Sequence, residues 1–317
     1  MVYAYGARTA HIGRPPGPDG RHGGTGAAER VKERLQFDYT TVGHVTVDVL
    51  ADGSMRPGGS AFYSALQAAR LGRRTLILTQ GVPREIEGLL EPFAGELELR
   101  VLPARHTTTL ETSGSGPARR QRVLAWAGAI EQEIRLDTAL LHLAPVAREL
   151  PRHWHAPGAF VGLTPQGLIR TWPRAGGEVS LVAPSRSDEK LVGRCEALVL
   201  SEYERASATP LIERALDGYA TVVLTAESRP STILLPRDGG SLEVEVPPIA
   251  GSHEDLGAGD VFAAAFFVEL SGGSPPERAV AFATAAAAVR IQGAGAAAIG
   301  AAQAIGARLD TVAGQRL

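Results

Sequence analysis

Only one cysteine, Cys195, occurs among the 317 residues of the chain. A single cysteine excludes an intramolecular disulfide and any metal cluster built from cysteine ligands. Long apolar runs are also missing, since none reaches the roughly 18 residues that a membrane-spanning helix requires. The N-terminus lacks the apolar core of a secretory signal. We therefore expect a cytoplasmic protein without a membrane partner.

An excess of charge of either sign is absent, because 32 lysines and arginines face 34 aspartates and glutamates, for a formal net charge of -2. This balance gives no reason to expect nucleic acid as a partner. Two nucleotide-binding patterns are missing as well. The chain has no Gly-x-x-x-x-Gly-Lys-Ser/Thr sequence, and no Gly-x-Gly-x-x-Gly follows the first predicted strand. These absences argue against a P-loop kinase and a Rossmann dehydrogenase.

The sequence divides into a tail and one folded region. Residues 1–36 include a Gly- and Pro-rich run at residues 13–26 that has little to bury, which predicts a disordered N-terminal extension. A folded domain is expected over residues 37–317, and its first strand should run from Tyr39 to Val49. Short buried strands then alternate with helices. This pattern predicts an α/β protein whose mainly parallel sheet carries helices on both faces.

A Gly-rich loop, Gly257-Ala258-Gly259, is followed by Asp260 and by an apolar stretch that suits a buried helix. Small residues let backbone N–H groups approach a ligand, and a helix N-terminus adds partial positive charge, so the loop is a candidate anion site. A carboxylate at its mouth is suited to accept the proton of a hydroxyl that attacks a phosphoryl group. The alternative is that Asp260 simply caps the helix.

A second candidate site lies near the start of the folded region, where Asp48 ends the predicted first strand. Open α/β sheets bind ligands at the carboxyl ends of their strands, and a carboxylate there can accept hydrogen bonds from two hydroxyls. Gly58 and Gly59 follow soon after. The alternative is a turn residue that leads into Asp52 and Gly53.

Two segments carry a family resemblance: residues 56–72 (RPGGSAFYSALQAARLG) and residues 257–262 (GAGDVF). In order and separation they resemble the two signature regions of the ribokinase-like (PfkB) family of sugar and nucleoside kinases. The similarity extends over about residues 37–299. It implies a three-layer α/β/α fold with a small β lid, whose elements should lie at about residues 50–57 and 97–126. Since only nine residues separate Asp48 from Gly58, the lid should be short, similar to that of the inositol and polyol kinases.

The resemblance also implies roles for the candidate residues. Asp260 would be the general base, and the backbone of Gly257, Ala258 and Gly259 would form the anion hole. The acceptor, a small sugar, polyol or nucleoside, would be held by Asp48, Gly58 and Gly59. ATP and Mg²⁺ would be the cofactors, and the protein would be a monomer or a homodimer.

Donor-side residues follow two later strands. Glu204 matches a family residue that helps to organise magnesium and phosphate, while Ser201 stands where the family has Asn. Thr225 matches a nucleotide-contacting Thr. The open alternative is that Ser201 caps a helix, with Glu204 completing a capping box.

Several positions depart from the family pattern. Residues 226–230 lack the expected glycine. Glu254-Asp255-Leu256 stands where many relatives have Asp-Thr-Thr or Asp-Pro-Thr, so Leu256 removes a hydroxyl. Because those positions often help relatives to bind an activating monovalent cation, potassium dependence is not predicted. These departures support a second hypothesis, a non-catalytic sugar-binding pseudokinase that acts as a sensor or partner subunit. Retention of Asp260 favours the kinase.

Two further groups of polar residues could bind a ligand. Three histidines have no second ligand at recognisable metal-ligand spacing, so a metal site is not expected there; they are His142, His153 and His155. Three arginines near the predicted lid are expected to form a solvated basic patch, although they could face an anion; they are Arg119, Arg120 and Arg122.

Overall fold

The fold was analysed in a computed structural model that describes residues 36–236, 240–246 and 254–314. The predicted N-terminal extension lies outside the described residues except for Gln36. Among the described residues, every helix is too short or too polar to cross a bilayer.

The strands are numbered in chain order. The first nine are β1 (Phe37–Val42), β2 (Thr46–Val49), β3 (Met55–Gly58), β4 (Thr75–Gly81), β5 (Glu98–Pro103), β6 (Thr109–Ser113), β7 (Arg120–Ala125), β8 (Ile134–Arg135) and β9 (Thr138–Leu143). The others are β10 (Trp154–His155), β11 (Phe160–Leu163), β12 (Arg170–Thr171), β13 (Gly177–Glu178), β14 (Ser180–Leu181), β15 (Ala197–Ser201), β16 (Thr221–Ala226), β17 (Arg229–Leu234) and β18 (Ser241–Val244).

Seven α-helices connect or follow these strands within the described ranges. They are α1 (Ser60–Arg70), α2 (Pro83–Leu90), α3 (Arg186–Val192), α4 (Arg205–Asp217), α5 (Ala258–Ser271), α6 (Pro276–Ile291) and α7 (Ala302–Gly314). The helix expected after the Gly257-Ala258-Gly259 loop is α5.

The central sheet has nine strands in the order β18-β17-β16-β15-β11-β9-β1-β4-β5. Neighbouring strands from β16 to β5 pair in parallel, whereas β17 and β18 form an antiparallel edge. Parallel strands joined through helices require helices on the sheet faces. The mainly parallel sheet predicted from the strand–helix alternation is therefore confirmed.

Alternate residues of the strands face two separate cores. On one face Val199 of β15 packs into a cluster with α1, α5 and α6, whereas Leu198 and Leu200 of the same strand join α4 on the other face. This alternation is the period-two pattern of a strand that is buried on both sides. The molecule thus has the expected three layers, with the sheet in the middle.

The predicted first strand is in fact two strands in two sheets. β1 pairs with β4 and β9 in the central sheet, but β2 pairs with β3 and β6 in another. The chain leaves the central sheet at Gly43, where a Cβ would overlap the carbonyl oxygen of Ala144. Beyond Gly43, the backbone N–H groups donate to side chains instead of to a neighbouring strand. The His44 N–H donates to Glu149 Oε1 and the Val45 N–H to Thr79 Oγ1, both at 2.8 Å.

A smaller sheet of five strands has the order β13-β7-β6-β2-β3. It includes most of the predicted lid elements, at residues 55–58 and 109–125. The lid prediction was wrong for residues 98–103, because β5 pairs in parallel with β4 at the edge of the central sheet. Leu99 and Val101 of β5 pack on the α1 core, which explains the placement. β13 was not predicted.

The segment after β9 is irregular rather than helical. Residues 146–148 form a bend, with Arg148 at a φ of 60°. The buried carboxylate of Glu149 accepts hydrogen bonds from the N–H groups of Val146, at 2.8 Å, and Ala147, at 2.6 Å. A side chain that satisfies these amides gives the backbone an alternative to helical hydrogen bonding.

Candidate active site

The N-terminus of α5 is built on a glycine that no other residue can replace without strain. Gly257 caps the helix with a φ of 81°, and a Cβ there would lie 2.5 Å from the ring of Tyr63. Positive φ and close ring contact both require glycine. The loop therefore enters the helix directly over Tyr63, and Asp260 falls in the first turn.

Three backbone N–H groups at this helix end are free of partners among the described residues: those of Gly257, Gly259 and Asp260. The expectation for Ala258 was wrong, because its N–H donates to the carbonyl oxygen of Asp255 at 3.1 Å. Free amides at the N-terminus of a helix form a site with partial positive charge that suits an anion.

The carboxyl of Asp260 is half-buried and has polar neighbours from two other elements. Gln166 Nε2 lies 3.5 Å from Asp260 Oδ1 and also donates to the hydroxyl oxygen of Ser60 at the start of α1. Ser64 donates to the Asp260 carbonyl oxygen at 3.1 Å. These contacts bring α1, α5 and the loop after β11 together.

The pKa of Asp260 is raised to about 6, mainly by desolvation on burial, while the Ser60 hydroxyl and the positive charges of Arg170 and Arg119 act in the opposite direction. The Glu204 carboxylate adds a smaller upward shift. A carboxyl with this pKa is ionised at neutral pH but binds a proton far more readily than an ordinary aspartate. It is suited to general base chemistry.

Asp48 lies on β2 in the smaller sheet rather than at the end of the first central strand. Its side chain is 2% exposed, and it accepts a hydrogen bond from Thr46 Oγ1 at 2.7 Å. Burial raises the pKa of Asp48 to about 6, against the opposing effects of Thr46 and of nearby arginines. A Cβ on Gly58 would overlap this carboxylate, so the glycine allows β3 to lie beside it.

Gly59 turns the chain from β3 into α1. Its φ is 90°, and a Cβ there would overlap the carbonyl oxygen of His44. The turn delivers Ser60 to Asp260, so the two glycine motifs meet in space. Asp48 and Asp260 also share two cationic neighbours, since Arg170 and Arg119 lower the pKa of both carboxyls.

The donor-side residues lie at the carboxyl ends of adjacent strands, where Ser201 of β15 is in register with Thr225 of β16. Glu204 is close enough to influence the pKa of Asp260 and of Arg170. Glu204 and Asp260 therefore lie at the same end of the central sheet. Thr225 Oγ1 donates to the Leu200 carbonyl oxygen at 3.4 Å.

Ser201 and Glu204 are hydrogen-bonded to each other. Both the N–H and the hydroxyl of Ser201 donate to Glu204 Oε2, each at 2.9 Å. Helix α4 is capped by Glu204 itself, without a side-chain capping bond. The predicted capping box is thus only half present, because the serine hydroxyl donates to the carboxylate instead of accepting from the helix.

The turn after β16 keeps its tight shape without glycine. Glu227 adopts a φ of 56° there, in the left-handed region. A non-glycine residue in that region costs roughly 1–2 kcal/mol. The surrounding hairpin therefore stabilises the turn, although the family's glycine is absent.

Two acidic residues before the anion site bind arginines. Glu254 Oε1 accepts from Arg56 of β3 at 2.7 Å and from the fully buried Arg290 of α6 at 3.0 Å. Asp255 accepts from Arg119, at the end of the β6–β7 connection, at 2.5 Å. The prediction of a solvated patch was wrong for Arg119, whereas Arg120 and Arg122 form exposed ion pairs with Glu178 and Glu111.

His142 is buried inside β9, where its Nδ1 lies 2.7 Å from the Tyr39 hydroxyl and its Nε2 lies 3.2 Å from Thr164 Oγ1. Burial lowers its pKa to about 3, so the ring is neutral. It links the sheet to the loop that carries Gln166.

Three residues of the site were missed at the sequence level: Ser60, Gln166 and Arg170. Ser60 directly follows Gly59, and the other two follow the buried strand β11. Position at the carboxyl end of a parallel strand was the available signal. It was overlooked because residues 164–170 contain no acidic or histidine side chain.

Magnesium fits this site only when it binds together with phosphate. The described residues include no group of three His, Cys, Asp or Glu side chains that could hold a metal. Glu204 Oε2 is occupied by Ser201, which leaves Oε1 to contribute. This donor set suits an ion that keeps most of its ligands as water and phosphate oxygens.

Comparison with known proteins agrees with this geometry. A sequence profile of the pfkB family carbohydrate kinases matches residues 174–302, which include the donor-side strands and the α5 loop but not Asp48. No curated protein sequence matches the chain.

Solved structures of similar fold cover most of the chain. A pyrophosphate-dependent kinase of the ribokinase family, in complex with a pyrophosphate analog and myo-inositol, has 20% identity and a TM-score of 0.61, covering 80% of this chain and 94% of its own. Arabidopsis thaliana ribokinase with ribose and ATP has 17% identity and a TM-score of 0.63, covering 86% and 98%. A putative ribokinase II from E. coli with ATP and Mg²⁺ has 14% identity and a TM-score of 0.63, covering 86% and 99%.

At these identities the structural likeness shows a shared fold, which is the ribokinase-like fold. Together with the profile match, it confirms the resemblance that the two glycine motifs predicted. The chain thus has the ribokinase-like fold, and its residues 174–302 are similar to the pfkB family carbohydrate kinases.

Proposed function

We propose that the protein transfers a phosphoryl group from ATP to a hydroxyl of a small sugar, an inositol-like polyol or a nucleoside. One observation carries the proposal. Asp260, a carboxyl with a pKa of about 6, stands in the first turn of a helix beside partner-free N–H groups and shares cationic neighbours with the buried Asp48. A base next to an anion site is the arrangement that phosphoryl transfer to an alcohol requires.

Asp260 would accept the acceptor's hydroxyl proton as the oxygen attacks phosphorus. Its raised pKa makes it a better base than an ordinary carboxylate, and it remains ionised above about pH 6. Gln166 lies within 3.5 Å of Oδ1 and would hold the carboxylate in one orientation. Ser60, which accepts a hydrogen bond from Gln166, would help to hold the carboxylate in this orientation.

The free N–H groups of Gly257, Gly259 and Asp260 would stabilise the negative charge on the phosphoryl oxygens. Preorganised backbone donors in a water-poor site are worth about 10²- to 10³-fold in rate for each donor. The helix N-terminus adds its partial charge without reorganisation.

Asp48 would orient the acceptor by receiving hydrogen bonds from two of its hydroxyls. Gly58 leaves space beside the carboxylate, and Thr46 fixes one of its oxygens. Positioning of this kind accounts for much of the rate in a reaction that needs little covalent chemistry from the protein.

The donor would lie over the carboxyl ends of β15 and β16, near Ser201, Glu204 and Thr225. Magnesium, when bound with the phosphates, would neutralise part of their charge. Two relatives of similar fold are described with ATP, which supports a nucleotide donor.

Pyrophosphate is a second candidate donor. The observation that favours it is the presence of two guanidinium groups, on Arg119 and Arg170, close enough to Asp260 to lower its pKa. Guanidinium groups match phosphate oxygens and do not recognise a base. A relative of similar fold is described as pyrophosphate-dependent.

The test is a panel assay of purified protein. Acceptors should include inositols, hexoses, pentoses, ketoacid sugars and nucleosides, each with magnesium-ATP and with magnesium-pyrophosphate. Turnover of one acceptor, reduced by about 10³-fold or more in Asp260→Asn, supports the proposal. The matched control is Asp217→Asn, which alters an exposed aspartate at the end of α4 and should not affect turnover.

Absence of turnover across the panel, with no binding of either donor by calorimetry, would overturn the kinase proposal. If the protein still bound a polyol under those conditions, the non-catalytic sensor would replace it.

A further inference from the structure

Arg290, in the last turn of α6, carries a charged side chain that has no exposed surface. Its Nη1 donates to the carbonyl oxygens of Glu254, at 3.3 Å, and Gly293, at 3.1 Å. Its Nη2 donates to the Leu256 carbonyl oxygen, at 2.7 Å, and to Glu254 Oε1, at 3.0 Å. These four oxygen atoms form an oxygen cage for the guanidinium.

The oxygen cage joins two loops. Glu254 and Leu256 precede α5, whereas Gly293 follows α6. The Glu254 N–H also donates to the Ile291 carbonyl oxygen at 3.3 Å, which ties the same two segments together. Burying a guanidinium is unfavourable unless protein oxygens replace its water. The acceptors that make this burial possible therefore come from both loops.

One atom of the oxygen cage controls the direction of an anion-site donor. The Leu256 carbonyl and the Gly257 N–H belong to one peptide unit, and they point in opposite directions because the unit is planar and trans. The bond from Arg290 to that carbonyl oxygen therefore fixes the direction of the Gly257 N–H. A cation at the carbonyl also polarises the peptide, which makes its N–H a stronger donor.

Tyr63 provides a second connection between the guanidinium and the anion site. Arg290 Cζ lies 5.7 Å from the centroid of the Tyr63 ring, within the range of a cation–π interaction. A Cβ on Gly257 would overlap the same ring. Movement of the guanidinium would thus disturb both the peptide before Gly257 and the ring on which Gly257 packs.

Backbone carbonyls and a carboxylate are the oxygen donors that also bind hard metal cations. The family resemblance implies a monovalent cation at residues 254–256. The residues present do not fit a free ion there, because the guanidinium of Arg290 is already bonded to the carbonyl oxygens of Glu254 and Leu256.

We propose that Arg290 is a positioning residue whose guanidinium acts as a built-in cation. It holds the Leu256–Gly257 peptide in the orientation that the anion site requires, so that turnover needs no free monovalent cation. The inference rests on the proposed function and states how its anion site is held in shape. Because the charge is attached to α6, it cannot dissociate when the salt changes.

The simpler interpretation is that Arg290 only stabilises the end of α6, where a cation interacts favourably with the helix dipole. Its bonds to Glu254 and Leu256 lie outside that helix. The two interpretations differ in one measurable respect. A built-in cation can be replaced by a free cation once the side chain is shortened, whereas a helix-stabilising side chain gives no such selective rescue.

The first test uses the wild type. Its kcat/KM and its affinity for magnesium-pyrophosphate should agree within about twofold in the chlorides of potassium, sodium and tetramethylammonium at matched ionic strength. Tetramethylammonium is the reference because it is too large for the oxygen cage. Activation by potassium of more than about threefold would overturn the inference.

The second test uses Arg290→Ala with two controls. Arg278→Ala alters an exposed arginine of the same helix. Arg70→Ala removes an arginine that holds the loop after α6 but, among the described residues, donates to none of residues 254–256; its Nη1 donates to the carbonyl oxygens of Ala296, Ala297 and Ile299.

In tetramethylammonium chloride, Arg290→Ala should lose about 10²-fold in kcat/KM, because the anion-site donors are misplaced. Its affinity for magnesium-pyrophosphate, measured by calorimetry, should weaken by about tenfold or more relative to both controls. Potassium or guanidinium chloride should restore at least about tenfold of the lost rate and raise the unfolding midpoint by about 2 to 4 °C. Neither salt should do so in Arg70→Ala.

Arg290→Ala might unfold because Gly293 and Leu256 lose their cationic partner. Folding in potassium or guanidinium chloride but not in tetramethylammonium chloride would itself be the expected rescue. If the variant folds in none of these salts, Arg290→Lys and Arg290→Gln are compared instead. The charged lysine should bind magnesium-pyrophosphate at least about tenfold more tightly than the neutral glutamine; equal affinities would overturn the inference.

The outcomes separate this inference from the proposed function. If Arg290→Ala loses no more affinity than Arg70→Ala, or if neither cation restores the loss, the inference is wrong while the proposed function stands. If the wild type turns over no acceptor but a cation restores pyrophosphate affinity to Arg290→Ala, the inference stands for the anion site and the kinase function fails. A wild type that binds neither pyrophosphate nor ATP would overturn both.

Discussion

The base side and the donor side of the candidate site are built differently. On the Asp260 side, Gly257 and Gly59 bring two helix starts together, and the N–H groups of Gly257, Gly259 and Asp260 have no partner within the described part of the chain. On the side proposed to bind the phosphoryl donor, the N–H and the hydroxyl of Ser201 both donate hydrogen bonds to Glu204. Hydrogen-bond donors that are free in a preorganised site can bind a ligand, whereas donors that already have partners stabilise the fold. Under the proposed function, this comparison predicts that the chemistry centres on Asp260 and that the β15–β16 end has a supporting role.

Removal of the carboxylate from each side should give the largest contrast. Asp260→Asn should reduce kcat by about 10³-fold or more, because the base is lost. Glu204→Gln should reduce it by less than about 30-fold, because magnesium is held mainly by phosphate and water. Initial rates at saturating acceptor and donor check the ratio. Equal losses in the two variants would contradict the division between the sides.

The two glycines of the anion loop should respond in opposite ways to alanine. Gly257→Ala places a Cβ against the Tyr63 ring at positive φ, so it should destabilise the fold by about 2 kcal/mol or more. Gly259→Ala meets no atom within 4 Å and should be neutral or stabilise α5 by up to about 1 kcal/mol.

Denaturant unfolding of both loop variants provides the measurement. If Gly257→Ala were as stable as the wild type, the close packing of the loop on Tyr63 would be wrong.

Ionisation of the buried Asp48 carboxyl should lower the free energy of unfolding at neutral pH. Its pKa is about 6 in the folded protein, against an ordinary value of 3.8, so the folded state binds the proton more tightly than the unfolded state. The stability that protonated Asp48 contributes is therefore lost as pH rises from about 4 to about 6. Asp48→Asn should gain about 1 to 3 kcal/mol over the wild type at pH 8.

That gain should vanish near pH 3, below the unfolded-state pKa, where the wild-type carboxyl is largely protonated in both states. Unfolding curves of the two proteins at both pH values test the sign. A variant that is less stable than the wild type at pH 8 would show that Asp48 is held as an anion by its arginine neighbours.

The smallest effect should come from Ser201→Ala. It removes one of the two hydrogen bonds to Glu204 Oε2, so we expect a loss of about 0.5 to 1.5 kcal/mol in stability and a donor KM within about tenfold of the wild-type value. Thermal unfolding and donor titration measure both. A loss of turnover comparable to that of Asp260→Asn would move the catalytic centre to the donor side.

The sequence predicted those parts of the site in which steric limits require glycine. Glycines at positive φ, such as Gly59 and Gly257, mark turns that only a few folds contain, and the family resemblance followed from them. The contacts of Arg119 and Arg170 were not predicted, because a surface arginine and an active-site arginine have the same local pattern. Their placement depends on the turn between β6 and β7 and on the loop after β11.

The same limit explains the misplaced first strand. Residues 39–49 alternate as one strand should, and the pattern does not reveal that Glu149 and Thr79 satisfy the backbone at residues 44 and 45. These partners are far away in sequence. Tertiary hydrogen bonds thus decided where the central sheet ends and the smaller sheet begins.

The most direct test of the central claim is the pH dependence of kcat/KM for the acceptor, from about pH 5 to about pH 9. We predict an acidic limb with an apparent pKa near 6, below which the rate falls up to about 100-fold per pH unit as both Asp260 and the acceptor-binding Asp48 are protonated. In the residual activity of Asp260→Asn the limb should become shallower, about tenfold per pH unit, because only Asp48 still titrates there. A wild-type profile that is flat through pH 6, or an unchanged limb in the variant, would contradict Asp260 as the base.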